Sequence, residues 1–109
     1  MSYSAVEVVN STNYPISGEI SYMTFFSSDI DFTLEPNSVW KSEKHIRPIV
    51  EILAFVITDN GVFLAKPFIS LGTIHHSFEV VQNNDSSFRV VKMKKVKEKE
   101  SIQFLQPVI

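Results

Sequence analysis

A chain of 109 residues with 44% hydrophobic and 20% charged side chains is long enough for one self-sufficient core and too apolar to be disordered. It contains no cysteine, which excludes a disulfide framework, a thiol nucleophile and a thiolate metal site. The net charge of −2 is unevenly spread: residues 1–91 hold ten of the twelve acids and five of the ten bases, an acidic body without the basic face nucleic acid needs.

The N-terminal residues have no basic start and no long apolar run, so no signal peptide is expected. No stretch approaches the roughly 18 apolar residues that would span a bilayer. A cytoplasmic location follows as an expectation.

The stretch 5–26 reads as two strands, 5–10 and 18–26, joined by a polar loop at 11–17. Val6 and Val8 point to one side and Glu7 and Val9 to the other; Ile20 and Tyr22 oppose Glu19, Ser21 and Met23. Such alternation suits half-buried strands. A third strand at 30–34 places Ile30, Phe32 and Leu34 against Asp31 and Thr33. Glu35-Pro36-Asn37-Ser38 is a turn, with Pro36 fixing φ at its second position. A fourth strand begins at 39–42 with Trp40, and Pro48 ends the polar segment 43–47.

The richest apolar run is 48–58, PIVEILAFVIT. A buried helix competes with a strand here. Its Val, Ile and Phe content and the following Asp59-Asn60-Gly61 favour a strand, with a hairpin partner at 62–68. As a strand it has two apolar sides. Ile49, Glu51, Leu53, Phe55 and Ile57 oppose Val50, Ile52, Ala54 and Val56. A second covering surface is therefore expected, and Ile52 and Val56 mark the side assigned to it.

Residues 70–73 read as a loop, 74–81 as a strand that sends His75 and His76 to opposite faces, 82–86 as a turn, and 87–95 as a strand. The charged break 97–100 precedes a last edge strand at 102–105. The pattern predicts an all-β, antiparallel two-sheet β-sandwich of eight or nine short strands. The domain covers 1–96, and 97–109 form a C-terminal extension.

Candidate chemistry is sparse. The chain has no G-x-S-x-G elbow and no glycine-rich phosphate loop, and three glycines could build neither. His45, His75 and His76 lack metal-ligand spacing. Asp29 and Asp31 form an acidic pair that reads as a solvated strand side, with a calcium or acid–base role as the sharper alternative. Asn10-Ser11-Thr12 and Asn84-Asp85-Ser86 match glycosylation sequons. No enzyme activity, metal or cofactor is expected.

Aromatic residues offer a surface instead. Tyr14, Tyr22, Phe25, Phe26 and Trp40 could form a patch for a lipid or protein partner, although Trp40 serves equally as core. The adjacent Phe25 and Phe26 cannot share one face of a strand. Five lysines crowd residues 92–99. Of these, Lys92, Lys94, Lys95 and Lys97 read either as contacts to an anionic membrane surface or as the charged guard of an edge strand.

The order of V-E-V-V-N-S-T at 6–12, G-E-I-S-Y at 18–22, the acids at Asp29 and Asp31, a turn before Trp40, Arg47, and the apolar strand 49–54 resembles the aegerolysin-like β-sandwich proteins. It is similar also to the small nematode proteins up-regulated on loss of insulin-like receptor signalling. Pro48 and Ile49 stand where such relatives carry a Gly and often a Cys. The resemblance implies a sandwich without an enzyme active site. Aegerolysins bind membrane lipids and can recruit a pore-forming partner, and the nematode proteins pair into dimers. The expected function is therefore a binding or assembly module for a lipid or protein surface, acting as a homo- or hetero-dimer. A structural, stress-linked interaction protein pairing with a similar chain is the alternative, and a small hydrolase a third.

Overall fold

In the computed structural model, residues 6–23, 29–42, 48–73 and 75–93 are described. They form nine strands and no helix. The strands are β1 (Glu7–Asn10), β2 (Ile16–Tyr22), β3 (Ile30–Leu34), β4 (Val39–Lys41), β5 (Ile49–Thr58), β6 (Gly61–Leu64), β7 (Phe68–Thr73), β8 (Ser77–Asn84) and β9 (Ser87–Lys92). Two sheets face each other. One has the order β4-β1-β8-β9; the other runs β3-β2-β5-β6, with β7 also on β5.

The alternation written in the sequence explains the core. Val8, Phe78, Val80 and Val90 come from one sheet, and Ile20, Phe32, Ile52 and Val56 from the other; all eight are buried between the two. Their burial is the main stabilising term, at about 1.5–3 kcal/mol for each large side chain.

Three sequence expectations need correction. First, β1 joins β8 in parallel, Val8 beside Phe78, so the sandwich is not wholly antiparallel. The N-terminal strand is inserted between β4 and β8 and ties the two halves of the chain together. Second, the expected partner strand 62–68 is split. β6 pairs with the C-terminal half of β5, whereas β7 pairs with its N-terminal half. Between them Lys66 leaves the sheet and bonds across to β9, its N–H donating to the Phe88 carbonyl and its carbonyl accepting from the Val90 N–H. Pro67, which has no N–H to give a ladder, marks this break. Residues 70–73, expected as a loop, therefore belong to β7. Third, His75 and His76 precede β8 instead of alternating within it, and their rings lie 6.2 Å apart.

Turn chemistry follows the residues. Asn37 takes φ 57°, a left-handed conformation that Asn tolerates, in the turn headed by Pro36. In the β5–β6 hairpin the positive φ falls on Gly61, at 130°. Thr58 Oγ1 closes that hairpin by donating to the Gly61 carbonyl at 2.8 Å.

Asn10 is wholly buried at the opposite end of the sandwich from Met93, and all of its side-chain valences are used. Its Nδ2 donates to the carbonyls of Tyr14 and Glu35 at 2.8 and 3.0 Å. Its Oδ1 accepts from the Thr12 N–H and hydroxyl at 2.9 and 2.8 Å. The first sequon match is thus a buried bracket for the loop between β1 and β2. In the second, the exposed Asn84 accepts a bond from the Ser86 N–H at 3.1 Å and shapes the β8–β9 turn.

Candidate docking face

The aromatic surface expected from sequence is not assembled. Tyr22 is buried in the core, with its hydroxyl toward Ser42 and its ionisation pushed up by burial. Tyr14 is half-buried, edge-on to Phe88 at 6.2 Å. Trp40 is half-buried and lies 5.2 Å from Phe32, packed on the core. Phe25 and Phe26 lie outside the described residues, as do Lys94, Lys95, Lys97, His45 and the expected last strand 102–105. Lys92 ends β9 and is exposed.

The two sides of β5 are assigned in reverse. Ile52, Ala54 and Val56 face the opposing sheet with no exposed surface. Phe55 and Ile57 point outward. Ile49 is also buried, because a register shift between Ser21 and Tyr22 breaks the alternation around Val50. The signal was present in Glu51, a carboxylate on the Leu53, Phe55 and Ile57 side, which marks that side as outer.

On the outer face, cross-strand register brings apolar side chains into rows. Phe55 pairs with Leu64 and Ile57 with Val62. Ile69 and Leu71 of β7 continue the patch toward the start of β5. Val62, Ile69 and Leu71 are 62%, 69% and 96% exposed.

The same face also carries acids on β2, β3 and β5, and Glu51 stands directly opposite Ile69. Glu19 stands opposite Asp31 on β3. Glu51 lies opposite Ser21, the next outward position of β2. Glu19 is half-buried, and its carboxyl is held above the ordinary value of 4.5 by burial first, then by the charge of Asp29 and a hydrogen bond with it, then by Asp31 and Glu51. An open groove of about 560 Å³ is lined here by Ser17, Glu19, Asp31, Thr33 and Phe55, together with Gly18, Phe32 and Trp40. The five strands of this sheet contain no lysine, arginine or histidine.

The opposite sheet is mixed. Glu7 pairs with Lys41, and Arg89 with Val81, on its outer side. The Ser11 hydroxyl donates to the Glu79 carboxylate. No group of three or more His, Asp or Glu able to hold a metal occurs among the described residues. His75 Nε2 is 2.9 Å from the Met93 carbonyl, and its ring stands edge-on to Phe78.

These features define an all-β, two-sheet sandwich with one amphipathic outer face. Comparison with family models, with curated proteins and with solved structures finds no match. No helix among the described residues is long and apolar enough to cross a membrane.

Proposed function

We propose that this chain is a non-enzymatic assembly module, of the aegerolysin-like kind its sequence pattern suggests, that docks a second copy of itself on the outer face of β5, β6 and β7. The observation that carries this reading is the pair of exposed rows Phe55–Leu64 and Ile57–Val62, continued by Ile69 and Leu71. A contiguous apolar patch on a sheet face is costly to leave in water, and covering it is the simplest relief. A two-fold contact would bury the same patch on both partners.

A lipid surface is the competing occupant. The acids beside the patch work against it, since anionic headgroups would be repelled by Glu19, Asp31 and Glu51.

Light scattering on the full chain at tens of micromolar tests the reading. A dimeric mass is expected, with V62K/L64K monomeric and unchanged in circular dichroism. A strictly monomeric wild-type mass sinks the homodimer, and sedimentation with liposomes that V62K/L64K abolishes would replace it with a lipid-binding role.

A further inference from the structure

We propose that Asn60 and Gly61, at the tip of the β5–β6 hairpin, form a self-modifying site: the main-chain nitrogen of Gly61 attacks the Asn60 side-chain amide, and the isoaspartate that results unfastens the hairpin. The site stands apart from the docking role proposed above; only its effect on association rests on that role.

Sequence gives the first argument. Six asparagines occur in the chain, and only Asn60 precedes a glycine. Ser, Tyr, Asn or Asp follows the others. The attacking nitrogen belongs to the next residue, and a Cβ on that residue crowds its approach to the asparagine Cγ. Glycine alone has none, and it also reaches the backbone angles that ring closure needs.

Side-chain bonding gives the second. Asn10 uses all of its side-chain valences. Asn37 donates to Asn13 at 3.4 Å. Asn83 Nδ2 donates to Ser87 Oγ at 3.1 Å, and Asn84 Oδ1 accepts from the Ser86 N–H. The Asn60 amide makes no hydrogen bond among the described residues; only its main-chain N–H is held, by Thr58 Oγ1 at 3.1 Å. Its Cγ is thus free to swing onto the neighbouring nitrogen.

Space gives the third. Asn60 and Gly61 are both exposed. A Cβ at position 61 would meet no heavy atom within 4 Å, so nothing packs on the tip. β6 has β5 on one side and, among the described residues, no strand on the other. The tip can therefore open locally while the sheet stays closed, and such openings cost little at exposed turns.

The chemistry needs only water. The Gly61 N–H gives up its proton to solvent base, a bond forms from its nitrogen to Asn60 Cγ, and the Cγ–NH2 bond breaks, releasing ammonia. Water then opens the cyclic imide. Cleavage at Cγ leaves an aspartate; cleavage at the main-chain carbonyl leaves an isoaspartate, with the backbone routed through Cβ and Cγ. The second product lengthens the main chain by a carbon. Only Asp59 and Asn60 lie between the paired residues Thr58 and Gly61, so the hairpin has no slack to absorb it. The Thr58 Oγ1 bonds to the Asn60 N–H and the Gly61 carbonyl are the first to be lost. Both products also set a carboxylate beside Asp59. The adjoining pair is Ile57–Val62, one of the exposed rows of the docking face.

The test holds the full chain in mildly alkaline buffer at body temperature and follows it by peptide mass spectrometry. Position 60 should convert several-fold faster than Asn37 or Asn84, with isoaspartate the larger product, and nearly as fast in the folded chain as in urea. Conversion no faster than at Asn37 or Asn84, or confined to the unfolded chain, would overturn the proposal. The isoaspartate fraction, separated by charge, should exchange the amide hydrogens of β6 several-fold faster than fresh chain or N60D. N60S has no amide to lose and should keep its slow exchange through the same treatment. Equal exchange in the isoaspartate fraction and fresh chain would overturn the unfastening. Light scattering should then show weaker association in the isoaspartate fraction than in fresh chain. If fresh chain is monomeric while position 60 converts as expected, the modification site stands and the docking reading fails. If fresh chain associates and position 60 does not convert, the docking reading stands and this proposal fails.

Discussion

Phe32 lies across Gly18, its cross-strand partner, and its ring fills the space that a side chain at position 18 would need. A Cβ there would also meet the Leu53 carbonyl oxygen of the neighbouring strand. Gly18 is therefore kept for space. The arrangement lets Phe32 reach inward to Trp40 and close the β3–β4 side of the core. G18A should cost about 1–3 kcal/mol, the usual range for overpacking. Chemical denaturation checks this, and adding F32L should recover part of the loss. No loss in G18A would mean that β2 and Leu53 shift freely.

Asn10 supplies a different kind of constraint. Replacing it with Leu leaves the Thr12 N–H without its acceptor and takes one of two donors from each of the Tyr14 and Glu35 carbonyls, which keep the Thr12 and Ser38 hydroxyls. About 2–4 kcal/mol should be lost. N10D should be worse at neutral pH, because a buried carboxylate would face the same two carbonyl oxygens. Its deficit should shrink on acidification. Equal stability of N10D and wild type at pH 7 would show that the bracket does not govern this loop.

Successive positions of β5 should answer to different measurements. I52A removes a fully buried side chain and should cost about 2–5 kcal/mol in unfolding. F55S changes an outward residue and should leave the monomer within about 1 kcal/mol while weakening association. Denaturation and light scattering on the same pair separate the two effects. Comparable loss of monomer stability in both would contradict the assignment of faces.

Much of this was legible in the residues. Val6/Val8 and Ile20/Tyr22 alternate as the core requires, and a Pro36-Asn37 turn and a hairpin at Gly61 appear where their φ demands place them. The orientation of β5 was harder to read. A strand apolar on both sides gives no inside by periodicity alone, and only Glu51 broke the tie. The bulge near Val50 then hid Ile49, which strict alternation puts with Glu51. β7 escaped because Ser70, Gly72 and Thr73 have the chemistry of a loop; they are extended only because the first half of β5 needs a partner. The acidic cluster on this face was invisible in sequence. Glu19, Asp31 and Glu51 come from three strands and meet only through register.

That meeting has a pH signature. The Glu19 carboxyl is held above its ordinary value of 4.5, through burial first and then through Asp29, Asp31 and Glu51. A carboxyl raised in this way binds its proton more tightly folded than unfolded. Its charge therefore opposes folding in full at neutral pH, where both states are ionised. The penalty fades as pH falls through the raised value toward 4.5, and below that both states are protonated. E19Q removes the charge and keeps a donor for Asp29. It should raise the melting temperature at pH 7, with a gain that shrinks through this window and is gone near pH 4. E51Q should act in the same direction and less, since Glu51 is the smallest of the named contributions at Glu19. Melting curves from pH 4 to 7 on the three proteins decide it; a gain in E19Q that does not vary with pH would show that the benefit comes from packing and not from relief of charge.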